Sequence, residues 1–162
     1  MDEAVQQFVE RMGLVCEKEG MARSAGRIFG LLLVGARPFS LDEIAEKLQA
    51  SKAGISTNCR MLEQFGMIER VSSLGDRRDF YRVQDDPWEH MLRVAQQRWR
   101  DMVKILAEAQ STLPGHMADG KRTLGTALQF HQLLITDVEH LLEHWHEVQH
   151  GGPASAPAEN AA

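Results

Sequence analysis

Cysteine is scarce in this chain, with only Cys16 and Cys59 in 162 residues and no CxxC spacing between them. That excludes a disulfide framework and reads as reduced thiols in a cytoplasmic protein. Long apolar runs are also missing. The longest, Ile28–Ala36, falls far short of the roughly 20 residues that span a bilayer, so no membrane partner is expected. The acidic start Met1-Asp2-Glu3 is not followed by the apolar region of a signal peptide. Catalytic signatures are lacking as well. There is no Ser/His/Asp or Cys/His order on strands, no phosphate-binding glycine loop, and no carboxylate pair in an expected cleft. A binding protein is expected rather than an enzyme.

Net positive charge is lacking too: the formal charge is −5, which at first argues against nucleic acid. The distribution reverses that impression. Between Ser51 and Arg82 lie six basic residues (Lys52, Arg60, Arg70, Arg77, Arg78, Arg82) and four acids, a local +2 on a body of −7. A small basic patch on an acidic body suits a DNA reader. A chain of this length can bury about 70% of the surface its unfolded form exposes, so it needs no metal or disulfide to fold.

Helix dominates the pattern. Val5, Phe8, Met12 and Val15 mark an amphipathic helix over 3–19 that ends at Gly20. A nearly all-apolar helix follows from about Ala22 to Ala36, the expected core, and Pro38 stops it. Ser40-Leu41-Asp42-Glu43 has the form of a capping box for a short helix with Leu41, Ile44, Ala45 and Leu48 on its inner face. Gln49-Ala50 is the turn, Ser51 the N-cap of a helix Lys52–Phe65, and Gly66 its terminator. Met67–Val71 and Phe80–Val83 are rich in strand formers, with the turn pair Gly75-Asp76 between them. Asp86-Pro87-Trp88-Glu89 then opens a helix to about Ser111, and Pro114-Gly115 breaks it.

This order of helix, helix, turn, helix and two-stranded hairpin is that of a winged helix–turn–helix. On a helical wheel Ile55, Cys59 and Leu62 share the core side of Lys52–Phe65. Ala53, Ser56, Thr57, Arg60 and Gln64 take the other side, with Lys52 at the first turn. Small hydroxyls flanked by Lys and Arg let a helix approach a groove and donate to phosphates, while Arg can bridge guanine O6 and N7. Arg77 and Arg78 stand at a turn tip where stability alone would favour Gly, Asn or Asp. There they can lie on phosphates or enter a narrow minor groove. Asp76 or Asp79 is expected to orient one of them, and the residues leave open which.

The runs Arg23-Ser24-Ala25-Gly26-Arg27-Ile28-Phe29-Gly30-Leu31-Leu32-Leu33, Leu41-Asp42-Glu43-Ile44-Ala45, Ser51–Leu62 and Gly75-Asp76-Arg77-Arg78-Asp79-Phe80-Tyr81 resemble the GbsR-like branch of the MarR family of winged-helix regulators. The resemblance is carried by about residues 20–85. It implies a homodimeric regulator of transcription, often a repressor that a small effector releases or modifies. It further implies that Ser51, Lys52, Ser56, Thr57, Asn58 and Arg60 lie on the recognition helix and Arg77 and Arg78 on the wing. Cys59 departs from the plain aliphatic more usual in that family. On the core side of the wheel it reads as an inert buried thiol rather than a redox switch.

The fold class expected is therefore mainly α: a winged helix–turn–helix over 21–85 with flanking dimerisation helices. These are residues 1–20 at the N-terminus and 86–150 at the C-terminus, followed by a disordered tail over 151–162 (GGPASAPAENAA), which lacks apolar bulk. The last helix, about Lys121–Gln149, carries a heptad seam of Leu124, Leu128, His131, Ile135, Val138, Leu142 and Trp145, widened by Leu134, Leu141 and Val148. Such a seam exceeds what a winged helix needs for its own core, so dimerisation is the expected outlet.

His140/His144 and His146/His150 fall at chelating i,i+4 spacing, yet the simpler reading is a solvated polar face and no metal is assigned. Trp88 and Trp99 are candidate effector contacts, since aromatic faces attract quaternary ammonium groups, although tryptophans at helical spacing are usually core. No cofactor is expected. The partners expected are double-stranded DNA, a second copy of the chain and a small effector. The competing reading is a winged-helix module that binds protein within a larger assembly.

Overall fold

A computed structural model describes residues 1–72 and 78–151. These form two compact units, Met1–Val94 and Ala95–Ala162. The elements run α1 (Glu3–Lys18), α2 (Arg23–Gly35), β1 (Phe39–Ser40), α3 (Leu41–Leu48), α4 (Lys52–Gln64), β2 (Ile68–Val71), β3 (Phe80–Val83), α5 (Pro87–Thr112), a 3-10 turn (Gly115–Met117) and α6 (Ala118–Gln149). Among the described residues no helix is long and apolar enough to cross a membrane.

In the first unit α2 is the central element, as its composition predicts. Ala25, Ile28, Phe29, Leu31 and Leu32 are all buried, and around them gather Val9, Ile44, Leu48, Ile55, Cys59, Leu62, Ile68 and Tyr81. A buried aliphatic of this kind contributes about 1.5–3 kcal/mol through removal from water. The local signals are realised. Ser40 Oγ accepts from the Glu43 amide while Glu43 reaches back to the Ser40 amide. Ser51 Oγ accepts from the Gly54 amide at 3.2 Å. Gln49 turns the chain at φ 50° and Gly66 at φ 73°, and Asp86 caps α5 through the Glu89 amide at 2.9 Å.

Two features differ from the sequence expectations. The sheet has three strands in the order β1-β3-β2, all antiparallel. β1 is only Phe39–Ser40, pairing with Tyr81 and Phe80, and two residues are too few to carry an alternation pattern. The packed face of α1 is the expected one only in part: Val5 and Met12 lie against the core, but the helix is turned so that Phe8 and Val15 do not follow them. Val9, Gly13 and Cys16 are buried, whereas Phe8 is 37% and Val15 51% exposed. The reason is glycine. A Cβ on Gly26 of α2 would fall 2.4 Å from the Met12 carbonyl oxygen and 2.8 Å from Cys16 Cβ, so the two helix backbones meet at a residue no hydrophobicity pattern registers.

In the second unit, α6 runs antiparallel to the later part of α5. Gln96, 2% exposed, donates to the Ile135 carbonyl at 3.0 Å, and Gln110 donates to the Lys121 carbonyl at 3.3 Å. Arg100 and Glu139 form an ion pair at 2.8 Å. Val138 and Leu142 of the heptad seam are buried, so part of the seam is already covered by the chain itself. A second stripe of α6, Phe130, Leu133, Leu141 and Val148, is left about half exposed. α6 starts at Ala118, three residues before the expected Lys121, after the 3-10 turn that follows Pro114. Of the expected tail only Gly151 is described, and 152–162 lie outside the described residues.

Gly26→Ala is expected to destabilise the protein by about 1–3 kcal/mol, because the added methyl meets backbone that cannot yield. Gly115→Ala, with nothing within 4 Å, should stay within about 0.5 kcal/mol of the parent, with both variants compared by urea titration.

Candidate nucleic-acid interface

α4 is anchored on one side only. Ile55, Cys59 and Leu62 are fully buried, as the wheel predicts, which turns the rest of the helix outward. Ser51, Lys52, Ala53, Thr57, Arg60 and Gln64 are exposed, and Ser56 and Asn58 are half-buried. The outward face therefore carries two cations and several small or hydroxylated side chains. Gly54 and Ala53 leave its first turn low enough for close approach to a surface.

Two of the expected contact residues already have local partners. Lys52 Nζ pairs with Asp42 of α3 at 2.7 Å, both side chains more than half exposed, so solvent screens the pair and a phosphate could compete for the ammonium. Asn58 Nδ2 donates to the Gly54 carbonyl at 2.8 Å, which ties its amide to its own helix. In the sequence Asp42 reads only as part of a cap. Its second role is visible only once α3 is set against the start of α4.

Of the wing, Arg77 and Asp76 lie outside the described residues. Arg78 is exposed, and its guanidinium carbon sits 5.4 Å from the centre of the Phe80 ring. Asp79 reaches Arg70 on the neighbouring strand at 2.6 Å, and Arg82 pairs with both Glu69 and Asp85. Arg70 and Arg82 thus hold the stem of the hairpin together. Nothing in the sequence distinguished them from the cations at the tip, because pairing across a hairpin depends on register.

The surroundings of α4 are built for rigidity. Glu43 accepts from the Ser40 amide at 2.8 Å, from Ser40 Oγ at 2.9 Å and from Arg37 Nη2 at 2.9 Å. These interactions, the backbone bond foremost, hold its carboxyl below the usual carboxylate range. The Arg37 guanidinium in turn lies 3.8 Å above the Phe39 ring. Burial, reinforced by the negative charge of Glu63, pushes the Cys59 thiol up to about 12. It is an inert core group and has no thiolate to offer an oxidant.

The aromatic candidates divide between the two units. Trp88 is 44% exposed, meets Phe29 edge-on at 5.9 Å between ring centres, and lines a cavity of about 400 Å³ with Leu32, Leu33, Pro38 and Val83. Trp99 is half-buried in the second unit. Among the described residues no three His, Cys, Asp or Glu side chains come together as a metal site. His146 and His150 stack with ring centres 4.0 Å apart, and His144 lies 3.7 Å from Glu147.

Comparison with known proteins then decides the family. The HTH-type transcriptional regulator MmpR5 of Mycobacterium tuberculosis (strain ATCC 25618 / H37Rv) is 38% identical over 146 residues, which covers 89% of this chain and 81% of MmpR5. The chain belongs to the HTH-type transcriptional regulators. The crystal structure of a transcriptional regulator agrees in fold, with a TM-score of 0.79 and 31% identity over 89% of this chain and 99% of that one. The HTH-type transcriptional repressor GbsR of Bacillus subtilis (strain 168) is 25% identical over 69% of this chain and 62% of GbsR, in keeping with the branch that the motifs resemble. No family model matches the chain.

Because the Glu43 carboxyl is held below its unfolded value of about 4.3, its ionised form stabilises the folded state. That contribution is complete above the unfolded value and is lost as the pH falls through the folded one. Glu43→Gln should therefore lower the melting temperature at pH 7, and the gap to the parent should narrow on acidification below about pH 4, followed by thermal melts across pH.

Proposed function

We propose that this regulator reads a palindromic operator as a homodimer and represses transcription from it, with α4 in the major groove and the wing on the adjacent backbone or minor groove. The observation that carries the reading is the one-sided anchoring of α4. Its core side is fully buried on Ile55, Cys59 and Leu62, while Lys52, Thr57 and Arg60 are exposed and Ser56 is half-buried on the other side, and Arg78 of the hairpin is exposed as well. In this reading Ser51, Lys52 and Arg78 hold phosphates, joined by Arg77 of the wing tip, and Arg60 reaches a base edge with Ser56 and Thr57 beside it. Asn58 acts through its bond to Gly54 by stiffening the helix. Binding, not catalysis, is the activity, and a cytoplasmic location follows from it. Repression is favoured by the similarity to GbsR, which is named a repressor.

The dimer is supported by two exposed apolar stripes, Phe8 and Val15 on α1 and Phe130, Leu133, Leu141 and Val148 on α6. Exposed rows of this kind mark association surfaces, and residues 1–20 and 86–150 are assigned to dimerisation on that basis. Two-fold symmetry would set the recognition helices about one DNA turn, ~34 Å, apart. A small effector would occupy the cavity beside Trp88, which touches the end of α2, the end of β3 and the start of α5. Trp99, the other aromatic candidate, does not line this cavity.

In vitro selection of bound duplex, followed by affinity measurements on the selected site, tests the reading. A dimer making about eight phosphate contacts should lose on the order of 10³–10⁵ in affinity between about 50 and 200 mM salt, and a flat response would favour a protein-binding module instead. Arg60→Ala should cost about 1–3 kcal/mol and relax the preference at one base position of each half-site. Leu141→Glu, placed at a side chain 50% exposed in the single chain, should leave the fold intact and shift sedimentation from dimer to monomer. A variant that still sediments as a dimer would remove the α6 stripe from the interface.

A further inference from the structure

The start of α2 carries two arginines whose stems lie across α1. A Cβ on Gly13 would fall 2.8 Å from Arg27 Cγ and 3.0 Å from Arg23 Cγ, so the absence of a side chain there is what lets both stems pass. Beyond this notch they converge on one carboxylate. Arg23 Nη2 donates to Glu10 Oε2 at 2.9 Å, and Arg27 Nε lies 2.8 Å from Glu10 Oε1, an ion pair whose geometry is not that of a hydrogen bond. The Arg27 side chain is only 24% exposed, which places this ion pair in a less screened setting than the other pairs of the unit.

Arg27 has a second attachment. Its Nη2 donates at 3.0 Å to the carbonyl of Leu48, the last residue of α3. A helix leaves its final carbonyls without intrahelical partners and carries partial negative charge there, so a guanidinium at that point satisfies both needs. Leu48 stands immediately before Gln49, whose φ of 50° reverses the chain, and three residues before Ser51, the N-cap of α4. The turn between the two helices is thus fixed at its first peptide by a cation that is itself fixed to α1.

We propose that Arg27 is a positioning residue for DNA reading: by bridging Glu10 of α1 to the Leu48 carbonyl it sets the angle at which α4 leaves the turn. The inference rests on the DNA-reading role assigned to α4. It adds a specific route by which α1, whose outer stripe of Phe8 and Val15 is exposed, governs the reading helix. The arrangement suits arginine, because the guanidinium can donate to the Leu48 carbonyl while its charge stays against Glu10, where a compact lysine ammonium would hold one of them.

The test measures affinity of the full-length protein for its selected duplex, by fluorescence anisotropy, together with melting temperature. Arg27→Gln should lower affinity by about two- to thirtyfold while remaining folded at the assay temperature. The slope of log affinity against log salt should stay unchanged, since Arg27 is not assigned a phosphate. Arg27→Lys should fall between Arg27→Gln and the parent. Glu10→Gln, on the surface of α1, should weaken binding in the same direction by a smaller factor, and the double variant should be no worse than Arg27→Gln alone. If Arg27→Gln proves unfolded, Glu10→Gln decides the matter through the same loss of affinity. Unchanged affinity in the folded variants, additive losses, or a slope reduced by about one contact per chain would overturn the proposal. A parent protein that binds no duplex would instead overturn the DNA-reading role itself.

Discussion

Much of the first unit depends on Ser40, because two kinds of structure claim it. It pairs with Phe80 in the sheet, while its hydroxyl accepts from the Glu43 amide and begins α3. The wing stem and the first helix of the helix–turn–helix therefore share a residue rather than meeting across a loop. Ser40 is almost fully buried, at 1% exposure. Its polar atoms are tolerable there only because Glu43 and the Glu43 amide satisfy them. From that junction α3 leads through the Gln49 turn to α4, and β3 leads back to β2, so both candidate DNA-contacting elements are referenced to one fixed point.

The other organising contact is the approach of α1 to α2 at Gly13 and Gly26. Close packing brings two effects together. It gives a narrow interface in which an added methyl has nowhere to go, and it allows arginine stems from α2 to cross α1 and reach Glu10. It also sets which apolar residues of α1 turn inward: Val9 joins the core with Val5 and Met12 packed against it, while Phe8 and Val15 are left exposed. The exposed Phe8 and Val15 are thus the other side of a glycine contact.

Most of the winged helix was legible in the sequence because its boundaries are written in local chemistry. Ser40 with Glu43, Ser51, Gly66 and Asp86-Pro87 each specify an end by satisfying or terminating backbone hydrogen bonds, and each occurs where the spacing predicts. The buried side of α4 was legible for the same reason, since Ile55, Cys59 and Leu62 repeat at helical spacing. What escaped depended on distant partners. β1 is too short to have a pattern, and its existence depends on β3 lying alongside. The packed face of α1 is marked by glycine, which a hydrophobic wheel counts as nothing. The seam of α6 is a real stripe, but a stripe does not say which helix answers it, and Val138 and Leu142 are answered from within the chain. The pairing of Lys52 with Asp42 and of Arg70 with Asp79 likewise needs three-dimensional register before it can be stated.

The two glutamines between α5 and α6 have a consequence for how this protein can vary in length. Gln96 and Gln110 are fourteen residues apart, and so are the carbonyls they grip, Ile135 and Lys121. Two fasteners at equal intervals on antiparallel rods engage together in only one alignment, as a tongue engages a notched rail. Residues added to the turn around Gly115 leave both fasteners closed. A single residue added between Gln96 and Gln110 makes them compete, so that closing one opens the other. Length variation in this hairpin is thus confined to its tip.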